Sequence, residues 1–169
     1  MNNFDEYQEF TNTTAVYPSA DALAYTTCGL VGEACEFAAK VQKLVEKTYV
    51  DIQQKFINEK SDKVRDGLLT QIDTLRRLNS VLLEASALLT RAESIKKDIR
   101  SEKIKLPLLI SPTVEQKLEL AKELSDSAWY LAQGSKALDH KLSEIIQINI
   151  DKLNSRKERG VLQGSGDNR

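Results

Sequence analysis

The sequence has few of the residues that interrupt helices, and few of the nitrogen and sulphur ligands that bind zinc. Its 169 residues include three prolines, seven glycines, two cysteines and one histidine. No proline lies between Ser19 and Leu106. The alternation of apolar and polar residues that marks strands is also missing, whereas apolar residues recur at spacings of three and four. The sequence therefore predicts an all-α protein.

A large charge of one sign and long apolar runs are absent as well. The formal net charge is −1, so bulk electrostatics gives no reason to expect nucleic acid or an anionic membrane as a partner. No run approaches the length that spans a bilayer, and MNNFDEYQEF lacks the features of a signal peptide. On a helix, Cys28 and Cys35 would lie roughly 10 Å apart, too far for a disulfide. We expect a cytoplasmic protein with reduced thiols.

The first two thirds of the chain show two helices and a long apolar stripe. A short helix over about 3–12 is expected to bury three aromatic residues, Phe4, Tyr7 and Phe10. Ser19 is expected to cap a second helix, which continues to a break at 58–61. From Leu68 to Ile99 apolar residues recur near heptad spacing, which predicts a helix packed along another helix. Asn79-Ser80 is a candidate interruption of that helix.

The last third of the chain shows a linker and two further helices. KLPLLISP, at 105–112, is the linker. Thr113 followed by Gln116 makes a capping box for a helix of about 114–137. A last helix is expected over about 140–157, stopped by Gly160, and the segment GVLQGSGDNR after it has no helical pattern.

Two pairs of carboxylates stand out: Glu33 and Glu36 are the only charges between Ala22 and Ala39, and Asp126 is the only charge between Leu124 and Ser135. On a helix Glu33 and Glu36 are i, i+3 neighbours, and Glu123 and Asp126 repeat this arrangement. Burying unpaired carboxylates is costly, and a cation bound between them removes the cost. Oxygen ligands from two antiparallel helices fit Mg²⁺ or Mn²⁺ rather than zinc. A solvated acidic face is the alternative. A di-iron bundle is disfavoured because His140 has no glutamate three residues before it.

The last helix carries a row of donors. Asn149, Lys152, Arg156 and Arg159 follow one another at spacings of three, four and three, so at least the first three share a face. Taken alone, this row is typical of a solvated basic face. Beside a carboxylate-bound metal it becomes a candidate wall for binding phosphate. The chain has no G-x-x-x-x-G-K-[ST] motif, so it is not a P-loop protein.

Three segments, in this order, resemble the MazG-like nucleotide pyrophosphohydrolases, particularly the short single-domain forms common in bacteriophages. The segments are GLVGEACEFAAKVQK, ELSDSAWYLA and NIDKLNSRKERGVLQGSGDNR, and YQEFTNTTAVYP fits the same pattern. The resemblance covers about 4–45 and 114–169. It implies one antiparallel helical bundle over 1–169 that hydrolyses nucleoside triphosphates, often deoxy or non-canonical ones, to monophosphate and pyrophosphate. It also implies a homodimer or homotetramer, in the host cytoplasm if a phage encodes it.

The resemblance also implies roles for individual residues. Mg²⁺, or Mn²⁺ in its place, would be bound by Glu33, Glu36, Glu123 and Asp126. Glu36, with Glu33 as the second candidate, would orient or deprotonate the attacking water. The positions expected to face the phosphates or sugar of the nucleotide are Lys40, Tyr130, Asn149, Lys152, Arg156 and Arg159.

The chain departs from the family pattern in two ways. The metal motif of the family commonly begins with a glutamate, and this chain has Gly32 there. Glu36 and Glu123 are separated by 86 residues, where the family has a short loop, so 46–112 is interpreted as an inserted helical hairpin. The insertion is either a structural extension or a lid that selects the nucleobase. Two functional alternatives remain open: a catalytically reduced module that uses the insertion to bind a partner, and an enzyme acting on an alarmone or a modified phage nucleotide.

Overall fold

The computed structural model describes residues 3–101 and 110–162. Within them lie α1 (Phe4–Asn12), α2 (Ala22–Asn58), α3 (Asp62–Arg100), α4 (Val114–Ala137) and α5 (Leu142–Glu158), with a 3₁₀ turn at Ser19–Asp21. No strand occurs in these ranges, which confirms the all-α prediction. No helix in the same ranges is long and apolar enough to cross a membrane. Most of the expected linker, and the 163–169 end of the chain, lie outside the described residues.

The chain divides into two compact units. One unit is Tyr17–Leu109, which contains α2 and α3. The other unit joins Met1–Val16 to Ile110–Arg169 and contains α1, α4 and α5. The single domain over 1–169 and the insertion over 46–112 stay predictions.

The unit Tyr17–Leu109 is a long antiparallel hairpin. Its helices α2 and α3 have 37 and 39 residues, which corresponds to roughly 55–60 Å each at about 1.5 Å per residue. Gly32 lies beside Glu93, Tyr49 beside Arg76 and Phe56 beside Arg65, so residue numbers rise on α2 as they fall on α3. The prediction that the stripe from Leu68 to Ile99 packs along another helix is therefore confirmed, and α3 pairs with α2 as far as Gly29, which faces Lys96.

The hairpin core is made from both helices. Its buried apolar residues are Cys35, Val45, Ile72, Ala92 and Ile99. Beside the turn that joins α2 to α3, the Arg65 guanidinium lies 4.4 Å from the centroid of the Phe56 ring, a cation–π contact between the two helices. Cys28 and Cys35 are free thiols, as the spacing predicted.

Three local expectations are wrong. Ser19 opens the 3₁₀ turn, and Asp21 occupies the N-cap position of α2. No residue of α1 is buried: Tyr7 and Phe10 are half-buried, and Phe4 is 66% exposed because it is the first residue of this nine-residue helix. Asn79-Ser80 does not interrupt α3, since the small propensity cost of two polar residues is outweighed by packing along α2.

In the other unit, the ends of α4 and α5 follow the sequence signals. The Thr113 side chain accepts a hydrogen bond from the Gln116 N–H, and the Gln116 side chain accepts one from the Thr113 N–H, which confirms the capping box. The helix then ends at Ala137, as predicted. Gly160 follows α5 with φ of 68°, a left-handed conformation that glycine adopts without a steric penalty.

Thr113→Ala is expected to destabilise the start of α4 by about 1 kcal/mol, because the N–H of Gln116 loses its acceptor. The measurement is amide hydrogen exchange in the first turn of α4. Ser111→Ala is the control, since Ser111 is exposed and precedes the cap. Equal exchange in the two variants would contradict the capping role.

Candidate active site

The first carboxylate pair lies on α2, with Glu33 turned away from the hairpin core and Glu36 at the edge of the buried face. Gly32 and Cys35 are buried, whereas Glu33 is exposed and Glu36 is half-buried. Consecutive helical residues are about 100° apart, so the burial of Gly32 against α3 turns Glu33 outward. No side chain in the described ranges makes a hydrogen bond or ion pair with either glutamate. Lys40, exposed on the same helix, lies one turn beyond Glu36.

The second carboxylate pair lies on α4. Glu123 and Asp126 are both exposed, and within the described residues their carboxylates have no hydrogen-bond or ion-pair partner. Tyr130 follows one turn later and is 70% exposed. Its ring meets that of Trp129 edge to face, with centroids 5.0 Å apart. In the described part of the chain, the carboxylates of both pairs are therefore not engaged in hydrogen bonds or ion pairs.

The donor chemistry of these residues fits Mg²⁺, since all four are carboxylates. Each unit of the chain contributes one pair. In the part of the chain that the structure describes, no group of three or more His, Cys, Asp or Glu side chains is placed to hold a metal. The ligand set of four carboxylates draws on both units and stays a prediction.

Gly32 is a point of close approach between α2 and α3. A Cβ atom at this position would lie 3.0 Å from Oε1 of Glu93 and 3.9 Å from Cδ1 of Leu89. Glu93 forms an ion pair with Lys96, and the Lys96 side chain lies beside Gly29. The two glycines thus make room for a partly buried ion pair of α3. Sequence reasoning missed this contact; the G-x-x-G spacing at 29–32 was the available signal.

Gly32→Glu is expected to destabilise the hairpin by about 1–3 kcal/mol, because the new side chain must displace Glu93 and adds a second carboxylate beside it. The measurement is the urea unfolding midpoint. Gly32→Ala is the control, since it adds only the Cβ atom and gains helix propensity of about 1 kcal/mol. Equal midpoints for the two variants would contradict repulsion from Glu93.

The donor row on α5 lies on the side of the helix that is shielded from solvent. Arg156 is buried, with 9% exposure, and Asn149 and Lys152 are half-buried. The interpretation of these three residues as a solvated basic face is therefore wrong. Arg159 differs: it is exposed and follows the helix, and its Nε–H donates to the Ser155 carbonyl oxygen at 3.2 Å.

Asn149 is held by a residue far away in the sequence. The Tyr7 hydroxyl on α1 donates to Asn149 Oδ1 at 2.9 Å. Burial raises the pKa of Tyr7 above its usual 10.0, so the phenol remains a donor throughout the neutral range. The sequence predicts only that Tyr7 is buried by the short first helix, and no local pattern indicates its hydrogen bond to Asn149.

These observations define the class of the protein: over residues 3–101 and 110–162 it is all-helical, with a long antiparallel hairpin, two carboxylate pairs that have no partner in these ranges, and a partly shielded donor row. No protein-family model matches the chain, and no solved structure matches it. Over an alignment of 171 residues it is 33% identical to the "Gene 37 protein" of Mycobacterium phage L5, covering 98% of this chain and 97% of that protein. The chain belongs to the family of this phage protein.

Proposed function

We propose that the protein is a Mg²⁺-dependent pyrophosphohydrolase that converts nucleoside or deoxynucleoside triphosphates to monophosphate and pyrophosphate. The observation that carries the proposal is the pair of i, i+3 carboxylates on each of two helices, none of which has a hydrogen-bond or ion-pair partner among the residues that the structure describes. Both pairs stand beside exposed apolar side chains, Leu30 and Phe37 on α2 and Leu120 and Leu124 on α4. Such faces are typical of sites that bind a ligand or another chain. The resemblance to MazG-like enzymes supports the same assignment.

The proposed chemistry is attack of water on the α-phosphorus. The bond to the bridging oxygen breaks, and pyrophosphate leaves. Glu33, Glu36, Glu123 and Asp126 would hold Mg²⁺, which when bound supplies positive charge against the polyphosphate. Glu36 accepts the proton of the attacking water, with Glu33 as the alternative acceptor. Lys40, Lys152 and Arg159 donate to phosphate oxygens.

Further parts of the proposal concern location and assembly. The family relation to a phage protein supports action in the cytoplasm of an infected host. The exposed apolar residues of the hairpin, which include Leu44, Val50, Val81 and Leu88, support a homodimer or homotetramer. Tyr130 is 70% exposed, and its ring meets that of Trp129 edge to face. We propose that Tyr130 contacts the sugar of the nucleotide.

The test is pyrophosphate release from a panel of canonical, deoxy and modified nucleotides, with Mg²⁺ and with Mn²⁺. We expect turnover of at least one nucleotide, stopped by EDTA and restored by excess Mg²⁺. A panel without turnover would contradict the proposal. The panel includes an alarmone, because turnover of that nucleotide would identify the alternative substrate class.

A second candidate is a catalytically reduced module that binds a nucleotide or a partner protein. The observation that favours it is the row of exposed large apolar residues along both helices of the hairpin, together with Gly32 at the position where the resembled family has a glutamate. This candidate predicts that nucleotide or Mg²⁺ raises the melting temperature without any turnover. Turnover that is lost in a carboxylate variant would exclude it.

A further inference from the structure

We propose that Tyr7 is a positioning residue, which fixes the Asn149 carboxamide so that its N–H groups donate to a phosphate oxygen of the bound nucleotide. This inference rests on the proposed function, because it assigns Asn149 to the phosphates of that substrate. Tyr7 itself does not contact the substrate; it acts through Asn149.

The hydrogen bond between the two residues determines which end of the amide remains available. The Tyr7 hydroxyl donates to Asn149 Oδ1 at 2.9 Å, across 142 residues of sequence. An amide whose oxygen is engaged presents its two N–H donors on the other side. In the described residues Asn149 Nδ2 has no hydrogen-bond partner, although the residue is half-buried. A fixed donor pair without a partner is suited to an acceptor that arrives with a ligand.

The neighbours of Asn149 on α5 indicate the class of that acceptor. Lys152 and Arg156 follow it by three and seven residues, so all three lie on one face of the helix. The face is partly shielded from solvent, and it combines two cations with an amide donor. Oxygen-rich anions with several acceptors match such a row, and a polyphosphate is the anion that the proposed reaction supplies.

The Tyr7 hydroxyl is a dependable donor at the pH of the reaction. Its ring is half-buried on α1, and burial raises its pKa above the usual 10.0. It therefore does not ionise in the neutral range, and the orientation of Asn149 does not change with pH there. We therefore expect the hydrogen bond from Tyr7 to Asn149 to be present at both pH 6 and pH 9.

The experiment is calorimetric titration of the full chain with inorganic pyrophosphate in the presence of Mg²⁺. Asn149→Ala is expected to weaken binding about 10-fold and Tyr7→Phe about 3- to 10-fold, the range for one hydrogen bond. The double variant is expected to bind like Asn149→Ala alone, because Tyr7 acts only through Asn149. Tyr17→Phe is the control, since the Tyr17 ring stacks on Tyr25 at 4.3 Å.

A second measurement separates positioning from folding. In the wild type, pyrophosphate is expected to shift the NMR signals of the Asn149 side-chain amide, and in Tyr7→Phe the shift should be smaller although the protein is folded. Tyr7→Phe binding pyrophosphate like the wild type would overturn the inference, as would a further loss of binding on adding Tyr7→Phe to Asn149→Ala.

The inference and the proposed function can fail separately. Pyrophosphate binding that depends on Tyr7 and Asn149, without turnover of any nucleotide, supports the inference and contradicts the enzyme. Turnover with pyrophosphate binding unchanged in Tyr7→Phe and Asn149→Ala supports the enzyme and overturns the inference. A wild type that does not bind pyrophosphate at all also overturns the inference, whatever the result of the turnover panel.

Discussion

Asp126→Asn is expected to lower the rate of pyrophosphate release by roughly 100-fold or more, because the amide keeps the shape of the side chain and removes the negative charge that a hard cation requires. Asp126 is exposed on α4 and makes no ion pair or hydrogen bond through its carboxylate in the described ranges. The substitution should therefore leave the melting temperature nearly unchanged. The measurement is steady-state pyrophosphate release at saturating Mg²⁺.

Asp139→Asn is the matched control for Asp126→Asn. It makes the same chemical change in the same unit, at an exposed residue with φ of 58°, a conformation that asparagine tolerates. The control should retain the full rate. Similar rates for the two variants would show that Asp126 is not part of the reaction centre, and the carboxylate pair on α4 would lose its proposed role.

Ile99→Ala is expected to destabilise the protein by about 2–5 kcal/mol, the range for removing a large buried aliphatic side chain. Ile99 is 1% exposed, and within the described residues no other large side chain is so completely buried. The lost contacts and the cavity contribute together, because a long helix held along its partner can collapse only partly around the space. The measurement is the urea unfolding midpoint followed by circular dichroism.

Ile95→Ala is the control for Ile99→Ala. It makes the same change one turn earlier on α3, at a residue that is 48% exposed. Its expected cost is below about 1 kcal/mol. A cost for Ile95→Ala equal to that for Ile99→Ala would mean that the buried side of α3 has been assigned incorrectly, or that Ile95 is covered in an assembly of several copies.

Much of the fold could be predicted because its signals are local. The capping box at Thr113 and Gln116 defines the start of α4, and the polar break at 58–61 separates α2 from α3. The apolar stripe from Leu68 to Ile99 indicates a helix packed along another helix. The expectations that are wrong concern residues whose state depends on the tertiary structure around them. Phe4 is apolar yet exposed, and Asn79 is polar yet lies inside a continuous helix.

The candidate site could be predicted only in part. The uncharged surroundings of Glu33 and Glu36 single them out on α2, and the structure exposes Glu33 and places Glu36 at the edge of the buried face. The spacing on α5 identified a shared face, but spacing alone does not tell a solvated face from a shielded one. The contact of Tyr7 with Asn149 joins helices at opposite ends of the chain, so no pattern within either helix contains it.

The proposed activity of this phage-related helical protein is cleavage of the α–β phosphoanhydride of a nucleotide. The most direct test is ³¹P NMR of the products formed from a nucleotide that the panel identifies, or from the full panel if none stands out. We expect nucleoside monophosphate and pyrophosphate in equal amounts, formed only with Mg²⁺ or Mn²⁺ and absent in Asp126→Asn. Nucleoside diphosphate with inorganic phosphate, or an unchanged nucleotide, would contradict it.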